Sequence, residues 1–301
     1  MLPVCLRQSL DIIHPLIVIY SACSRHLPDE STFPTTTKEL LDLETVNPNG
    51  TNSVCRFAPG ILVEFGWDHD AEVRALQFVH GRFSVSTPRV LKHAPFTNAI
   101  FEPWDRMKGV CYFYMEEFPG VPLNTVIDRM PSTELDHIAD QLLAILNEMR
   151  PYSTKTLGSV TGGPYDNRFM PFPWRPPQAF PSTKEYLYCY RSIFLVFCGP
   201  EYVEELFSCF PTDGQVHLTH GDLLPHNILV EGSKIAAIID WETAGYYPEF
   251  WEYCRMHEAG CMTPGWEHIL ARIFPGPRRE KEINAVYRIL RHLRYNTAYL
   301  V

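Results

Sequence analysis

The chain has 301 residues, 46% of them hydrophobic and 20% charged, with a formal charge of −9 at pH 7. That composition excludes disordered and fibrous classes and is enough for one large or two modest globular units with real cores. The acidic balance argues against a nucleic-acid backbone as partner, since such affinity rests on Lys and Arg neutralising phosphates, so a small ligand or a protein is the expected partner.

Near the N-terminus the segment LDIIHPLIVIYSACS holds an apolar run at residues 15–20. This is far short of the ~20 residues a membrane span needs, so no membrane association is expected. The nine cysteines are odd in number and never spaced C-x-x-C. Neither a disulfide framework nor a zinc site is suggested, and reduced thiols in a cytoplasmic protein are the expectation. Asn49-Gly50 is read as a hairpin turn.

From about residue 45 to 118 the text is strand-like. TNSVCRFA and GILVEFG flank Pro59-Gly60, a helical DAEVRALQFVHGRF follows, and PRVLKHA and GVCYFYMEEF read as two further strands. This predicts a small, mostly antiparallel sheet with one helix. After Pro119-Gly120 the period turns helical, and a domain boundary near 119 follows. In STELDHIADQLLAILNEMR the residues Leu135, Ile138, Leu142, Ile145, Leu146 and Met149 share one face behind a Ser132 or Thr133 cap. Residues 156–181 are dense in Pro, Gly and aromatics, the composition of a long loop that lines a site. Helical text resumes at STKEYLYCYRSIFL and REKEINAVYRILRHLR.

The stretch LTHGDLLPHNILVEGSKIAAIIDWETAG sets Asp222, Asn227 and Asp240 among apolar residues. NILV and KIAAIID pair through the turn Glu231-Gly232-Ser233, which brings Asn227 and Asp240 together at the open end of a hairpin. Two such oxygen ligands suit Mg²⁺, which takes a few protein oxygens plus substrate phosphates. Asp222 is then placed to receive a proton from a group attacking phosphorus. Each residue alone would be turn chemistry, but H-G-D-x-x-x-x-N followed by a hairpin ending I-I-D has the order a phosphotransferase needs. Trp241, Tyr246, Tyr247, Phe250, Trp251 and Tyr253 follow as an aromatic cluster, expected to be core.

Over HLTHGDLLPHNILVEGSKIAAIIDWETAGYYPEFWEY, and upstream through LGSVTGGPYDNR, YMEEFPGVPL and AEVRALQFV, the sequence resembles the aminoglycoside phosphotransferase family, more closely its fungal branch of small-molecule kinases. The resemblance spans roughly residues 36–256 and leaves the first 35 outside it. It implies an α+β, two-lobed protein-kinase-like fold with a small antiparallel-sheet N-lobe (36–118), a larger, mostly helical C-lobe (119–301), and ATP between them. By position Asp222 matches the catalytic base, Asn227 and Asp240 the metal ligands, and His220 the residue that props the catalytic loop. Met115, Glu116, Glu117 and Phe118 match the hinge whose backbone meets adenine. His226 is read as a loop histidine near phosphate or in solvent.

One position departs from the family. Where its members carry a strand Lys that pairs with a helix Glu and holds the nucleotide phosphates, ILVEFG supplies Glu64, with Glu72 as the matching helix acid. Arg56 or Lys92 could supply the missing cation, or Glu64 and Glu72 could hold an extra metal. A register slip of one residue would instead turn Glu64 to the other face of its strand. Three readings stand: an ATP- and Mg²⁺-dependent phosphotransferase acting on a small hydroxyl or amino compound, a pseudokinase-like binding module, and a fold reused for another reaction with residues 156–181 forming a hydrophobic pocket.

Overall fold

The computed structural model describes residues 44–46, 53–66, 69–95, 111–170 and 174–297. The first 35 residues and Asn49-Gly50 lie outside the described residues. Strands β1 (Glu44–Thr45), β2 (Ser53–Ala58) and β3 (Ile61–Gly66), helix α1 (Asp70–Val79), and strands β4 (Val90–Pro95) and β5 (Cys111–Glu116) come first. The strands form one antiparallel sheet in the order β1-β2-β3-β5-β4.

Side chains alternate between faces along a strand, and the pairing fixes which face each residue takes. Glu64 stands opposite Val54 on β2 and Phe113 on β5. With Leu62 and Met115 these residues face α1, which buries Glu72, Val73, Ala75, Leu76 and Val79. Cys55, Val63, Tyr112 and Tyr114 form a separate apolar layer on the other face. Glu64 is only 7% exposed, so the register slip that would turn it outward does not occur.

The remaining elements are β6 (Val121–Pro122), α2 (Ser132–Met149), β7 (Gly158–Ser159), α3 (Thr183–Phe197), α4 (Pro200–Phe207), β8 (Val216–Thr219), β9 (Ile228–Glu231), β10 (Lys234–Ile238), β11 (Gly245–Pro248), α5 (Phe250–Met256), α6 (Pro264–Ile273) and α7 (Glu280–Thr297). Two small sheets, β10-β9-β6 and β7-β11-β8, lie among these helices. Helix α2 buries Leu135, Ile138, Leu142, Ile145 and Met149 as its periodicity requires, with Leu146 at the edge of the stripe. Its cap is a correction. Pro131, extended at φ −67 and ψ 155, occupies the N-cap position, and Ser132 and Thr133 lie inside the first turn without capping it. In α3 the capping residue is Ser182, whose hydroxyl accepts the Glu185 N–H at 3.2 Å.

The aromatic cluster is core. Trp241, Tyr247, Phe250 and Trp251 are at most 1% exposed, and the Tyr247 and Trp251 rings stack with centroids 5.3 Å apart. No helix among the described residues is long and apolar enough to cross a membrane.

Candidate active site

The hairpin and the loop before it position the three polar residues. Ile228 on β9 pairs with Ile238 on β10, and one step further the Ile239 N–H donates to the Asn227 carbonyl at 3.0 Å. Asn227 and Asp240 therefore stand next to one another at the open end. Asn227 closes a single 3₁₀ turn that begins at Pro225. Its Nδ2 donates back to the Asp222 carbonyl at 2.9 Å and to Oδ2 at 3.1 Å, which fixes the loop across its five-residue span. Asp240 takes φ 60, a left-handed conformation that Asp tolerates better than most residues. Its carboxylate remains about one-third exposed.

Gly221 between His220 and Asp222 is required by space as well as by conformation. It has φ 83, and a Cβ there would meet Thr243 Oγ1 at 2.9 Å. His220 is fully buried. Its Nδ1 accepts the Asp222 N–H at 3.2 Å and its Nε2 donates to the Ile239 carbonyl at 3.1 Å, so the imidazole ties the loop to the hairpin. Burial lowers its pKa and keeps the ring neutral. Glu252 on α5 accepts the N–H of His220 at 2.6 Å and of Gly221 at 3.1 Å. Burial pushes this carboxyl up to about 7.

Asp222, 4% exposed, is held from two sides. Arg255 Nη2 on α5 meets Oδ1 at 2.7 Å, and its Nε holds the Gly221 carbonyl at 3.0 Å. Arg168 Nη2 meets Oδ2 at 2.7 Å. Burial alone would raise the Asp222 pKa, but His226 and the charges of Arg168 and Arg255 hold it far below the usual carboxylate range. His226 Nε2 lies 3.6 Å from Oδ2, and the carboxylate pushes this imidazole up to about 9. Arg168 also bonds Glu242 and lies 4.0 Å from Asp240. Burial opposes its charge, and the surrounding Asp240, Asp222 and Glu242 outweigh that effect.

Arg168 reaches this point because the described parts of the segment 156–181 are tied down on both sides of it. Leu157 and Phe180 exchange two backbone hydrogen bonds of 2.8 Å. The Tyr165 hydroxyl donates to the Tyr246 carbonyl at 2.5 Å, Asn167 Nδ2 to the Tyr247 hydroxyl at 2.9 Å, and Asp166 pairs with Arg74 on α1. Tyr165 and Phe169 are buried in the core, and Trp174 packs on Phe197. Tyr165 and Phe169 thus anchor the loop in the core, and Phe172 lies outside the described residues.

Glu64 and Glu72 face each other across the sheet–helix junction, 7% and 5% exposed. His69, just before α1 and 2% exposed, places Nδ1 3.6 Å from Glu64 Oε1 and 3.9 Å from Glu72 Oε2. Burial first, then the charges of Glu64, Asp240 and Glu242, raise the Glu72 pKa well above its usual value. Neither cation considered as a replacement for the missing Lys stands beside Glu64. Arg56 bonds Glu117 at 2.5 Å, and Lys92 is opposite Tyr114, on the other face of the sheet from Phe113. In the hinge segment Met115 pairs with both β3 and β4. The Glu116 N–H donates to the Arg89 carbonyl at 3.1 Å and the Glu117 N–H to the Gly60 carbonyl at 2.9 Å.

Sequence reasoning assigned no role to Arg168, Arg255, His69, Glu242 or Glu252. Two of them were within reach of it: Arg168 ends the block LGSVTGGPYDNR that carries the resemblance, and Glu242 follows Asp240 by two residues.

The family model described as "Phosphotransferase enzyme family" (APH) matches residues 68–283. No curated protein matches the chain by sequence. Among solved structures, the chain is similar in fold to the GDP complex of wild-type aminoglycoside 2′-phosphotransferase-IIIa, at TM-score 0.59 and 15% identity over 86% of this chain and 90% of that one. It is likewise similar to the GDP and kanamycin complex of APH(2″)-IIIa, at TM-score 0.60 and 15% identity over 86% of each chain. A thermostable mutant of aminoglycoside phosphotransferase APH(4)-Ia, in a ternary complex with ADP and hygromycin B, matches at TM-score 0.58 and 15% identity over 87% of this chain and 90% of that chain. The fold is accordingly the α+β, two-lobed kinase-like one.

Proposed function

The chain belongs to the phosphotransferase enzyme family, and we propose that it is an ATP-dependent small-molecule kinase that passes the γ-phosphate to a hydroxyl or amino group of a small metabolite in the cytoplasm. The observation that carries this reading is the convergence of Asp222, Asn227 and Asp240 through one loop and one hairpin, with Arg168 reaching them from the segment before α3. Residues 36–118 form the nucleotide-binding lobe, with the hinge backbone at residues 115–118 meeting adenine, and residues 119–301 carry the catalytic loop. The nucleotide complexes of the similar structures support a nucleotide as the donor.

The donor set fits Mg²⁺. Asn227 commits Nδ2 to Asp222 and so turns Oδ1 to the ligand side, and Asp240 offers a partly exposed carboxylate beside it. Asn227 and Asp240 would hold the ion, and the chemistry it would supply is charge neutralisation on the phosphate oxygens. Asp222 orients the acceptor group. As the new bond to phosphorus forms and the bond to the ADP oxygen breaks, the acceptor's proton passes to Asp222. Arg168 contributes positive charge beside the transferring group. His220 touches none of the reacting atoms and positions the loop.

A second reading, a kinase-fold binding module without phosphoryl transfer, is favoured by the buried carboxylates Glu64 and Glu72 where a phosphate-binding Lys is expected. ADP release in Mg²⁺, measured against a panel of small hydroxyl and amino compounds, separates the two. Acceptor-dependent release supports the kinase; tight ATP binding with no release for any acceptor supports the binding module.

A further inference from the structure

The departure at Glu64 has a second half that the sequence pattern does not show, which is His69. Glu64 comes from the middle of β3, His69 from the residue just before α1, and Glu72 from the first turn of that helix. Three separate backbone positions thus deliver one imidazole and two carboxylates to one point, all at least nine-tenths buried. Their donor atoms lie within 4.8 Å of one another. The two distances from His69 Nδ1, 3.6 and 3.9 Å, are too long for good hydrogen bonds. They are instead close to the ligand–ligand edge of about 3.4 Å that metal bonds of about 2.1 Å give in a tetrahedral site. A set of one imidazole and two carboxylates that leaves a position open is the donor type that zinc and manganese accept, and hard Mg²⁺ does not favour the nitrogen.

We infer that Glu64, His69 and Glu72 form a buried site for a divalent transition-metal ion, zinc or manganese, distinct from the Mg²⁺ pair Asn227 and Asp240. The supporting frame is rigid: β3 is paired on both sides, and the His69 ring packs edge-on against Phe113 at 5.4 Å. These contacts hold the strand and the imidazole in place, as a preformed site requires. The charge consequence follows. Where family members place a Lys beside a helix Glu, this chain holds two carboxylates, and a divalent ion between them supplies the missing positive charge and brings the junction to the zero net charge of a Lys–Glu pair. The assignment of that charge to nucleotide phosphates rests on the kinase reading; the metal site itself does not.

The test uses the full chain stripped by chelator and dialysed, titrated calorimetrically with Zn²⁺ and with Mn²⁺ in the absence of nucleotide. One equivalent is expected to bind, with affinity reduced a hundredfold or more in His69→Ala and in Glu64→Gln, and changed less than tenfold in Asp240→Asn. Circular dichroism checks that each variant is folded. X-ray absorption on the zinc-loaded wild-type protein is expected to show one imidazole nitrogen and carboxylate oxygens at the ion, a readout that no variant's folding can spoil. Absence of stoichiometric binding by the wild type, or unchanged affinity in folded His69→Ala, overturns the site. The outcomes separate the two readings: nucleotide binding with no nucleotide-independent metal refutes the site alone, and metal binding with no nucleotide affinity refutes the kinase alone.

Discussion

Asp222→Asn lowers phosphoryl transfer by about a hundredfold or more while leaving ATP affinity nearly unchanged, the range expected for loss of a general base. The size follows from where the carboxylate sits. Oδ1 is committed to Arg255, and Oδ2 to Arg168 and Asn227, so the group is fixed in direction and ionised at every working pH. So acidic a carboxylic acid is a weak Brønsted base, and its contribution lies in orienting the acceptor and taking the proton late, when bond formation to phosphorus has already acidified it. The same substitution lowers stability. Arg255 is buried and loses a charged partner, a change of about 3 kcal/mol for a buried pair broken on one side. The pH dependence of that loss has a definite sign. A carboxyl whose folded pKa is depressed contributes fully above its unfolded value, near ~4, and loses the contribution only as pH falls toward the folded value. The gap in Tm between wild type and Asn variant therefore closes in strong acid, and it also narrows as pH rises toward 9, where His226 loses the charge that Asp222 supports. Thermal melts across pH together with single-turnover rates check both halves; a variant as active as wild type removes Asp222 from the mechanism.

The parts of this site that were legible in the sequence are the local ones. Asn227 lies five residues beyond Asp222, and the turn that joins β9 to β10 is short, so spacing and turn chemistry alone bring Asn227 to Asp240. The inward direction of Glu64 was likewise a matter of strand alternation. Arg168 and Arg255 meet Asp222 from 54 and 33 residues away, and no periodicity reports a contact that depends on how a long irregular segment is anchored. Such anchoring by Tyr165 and Asn167 also explains why Tyr165 and Phe169, which read as pocket lining, are core. His69 was overlooked because its neighbours meet it only when β3 and α1 pack. The cap of α2 was misplaced because Ser and Thr favour N-caps on average, whereas here Pro131 already supplies the extended residue before the helix.

Glu64→Lys tightens ATP binding in protein stripped of transition metal and assayed in Mg²⁺. Glu64 faces Glu72 in a buried junction, so the new Lys pairs with Glu72 and presents its charge toward the nucleotide. One unit charge pair at ~4 Å with an effective dielectric of ~20 is worth about 4 kcal/mol. The change replaces a repulsion by an attraction, and screening at an open cleft removes much of it, so a tightening of about tenfold or more, ~1.4 kcal/mol, is the expected floor. The Lys also abolishes the zinc or manganese site by removing one ligand and adding a like charge. Dissociation constants for ATP measured side by side decide the matter: unchanged affinity in a folded Lys variant means that phosphates do not approach this junction, and it favours the binding module.

The measurement closest to the central claim is a calorimetric titration of the wild-type chain with ATP, with and without Mg²⁺, repeated on Asp240→Asn. The phosphotransferase account predicts ATP binding that is strengthened by Mg²⁺ in the wild type and loses most of that strengthening when Asp240 gives up its charged oxygen. No binding by the wild type at millimolar ATP, or a Mg²⁺ effect that survives in Asp240→Asn, would contradict it.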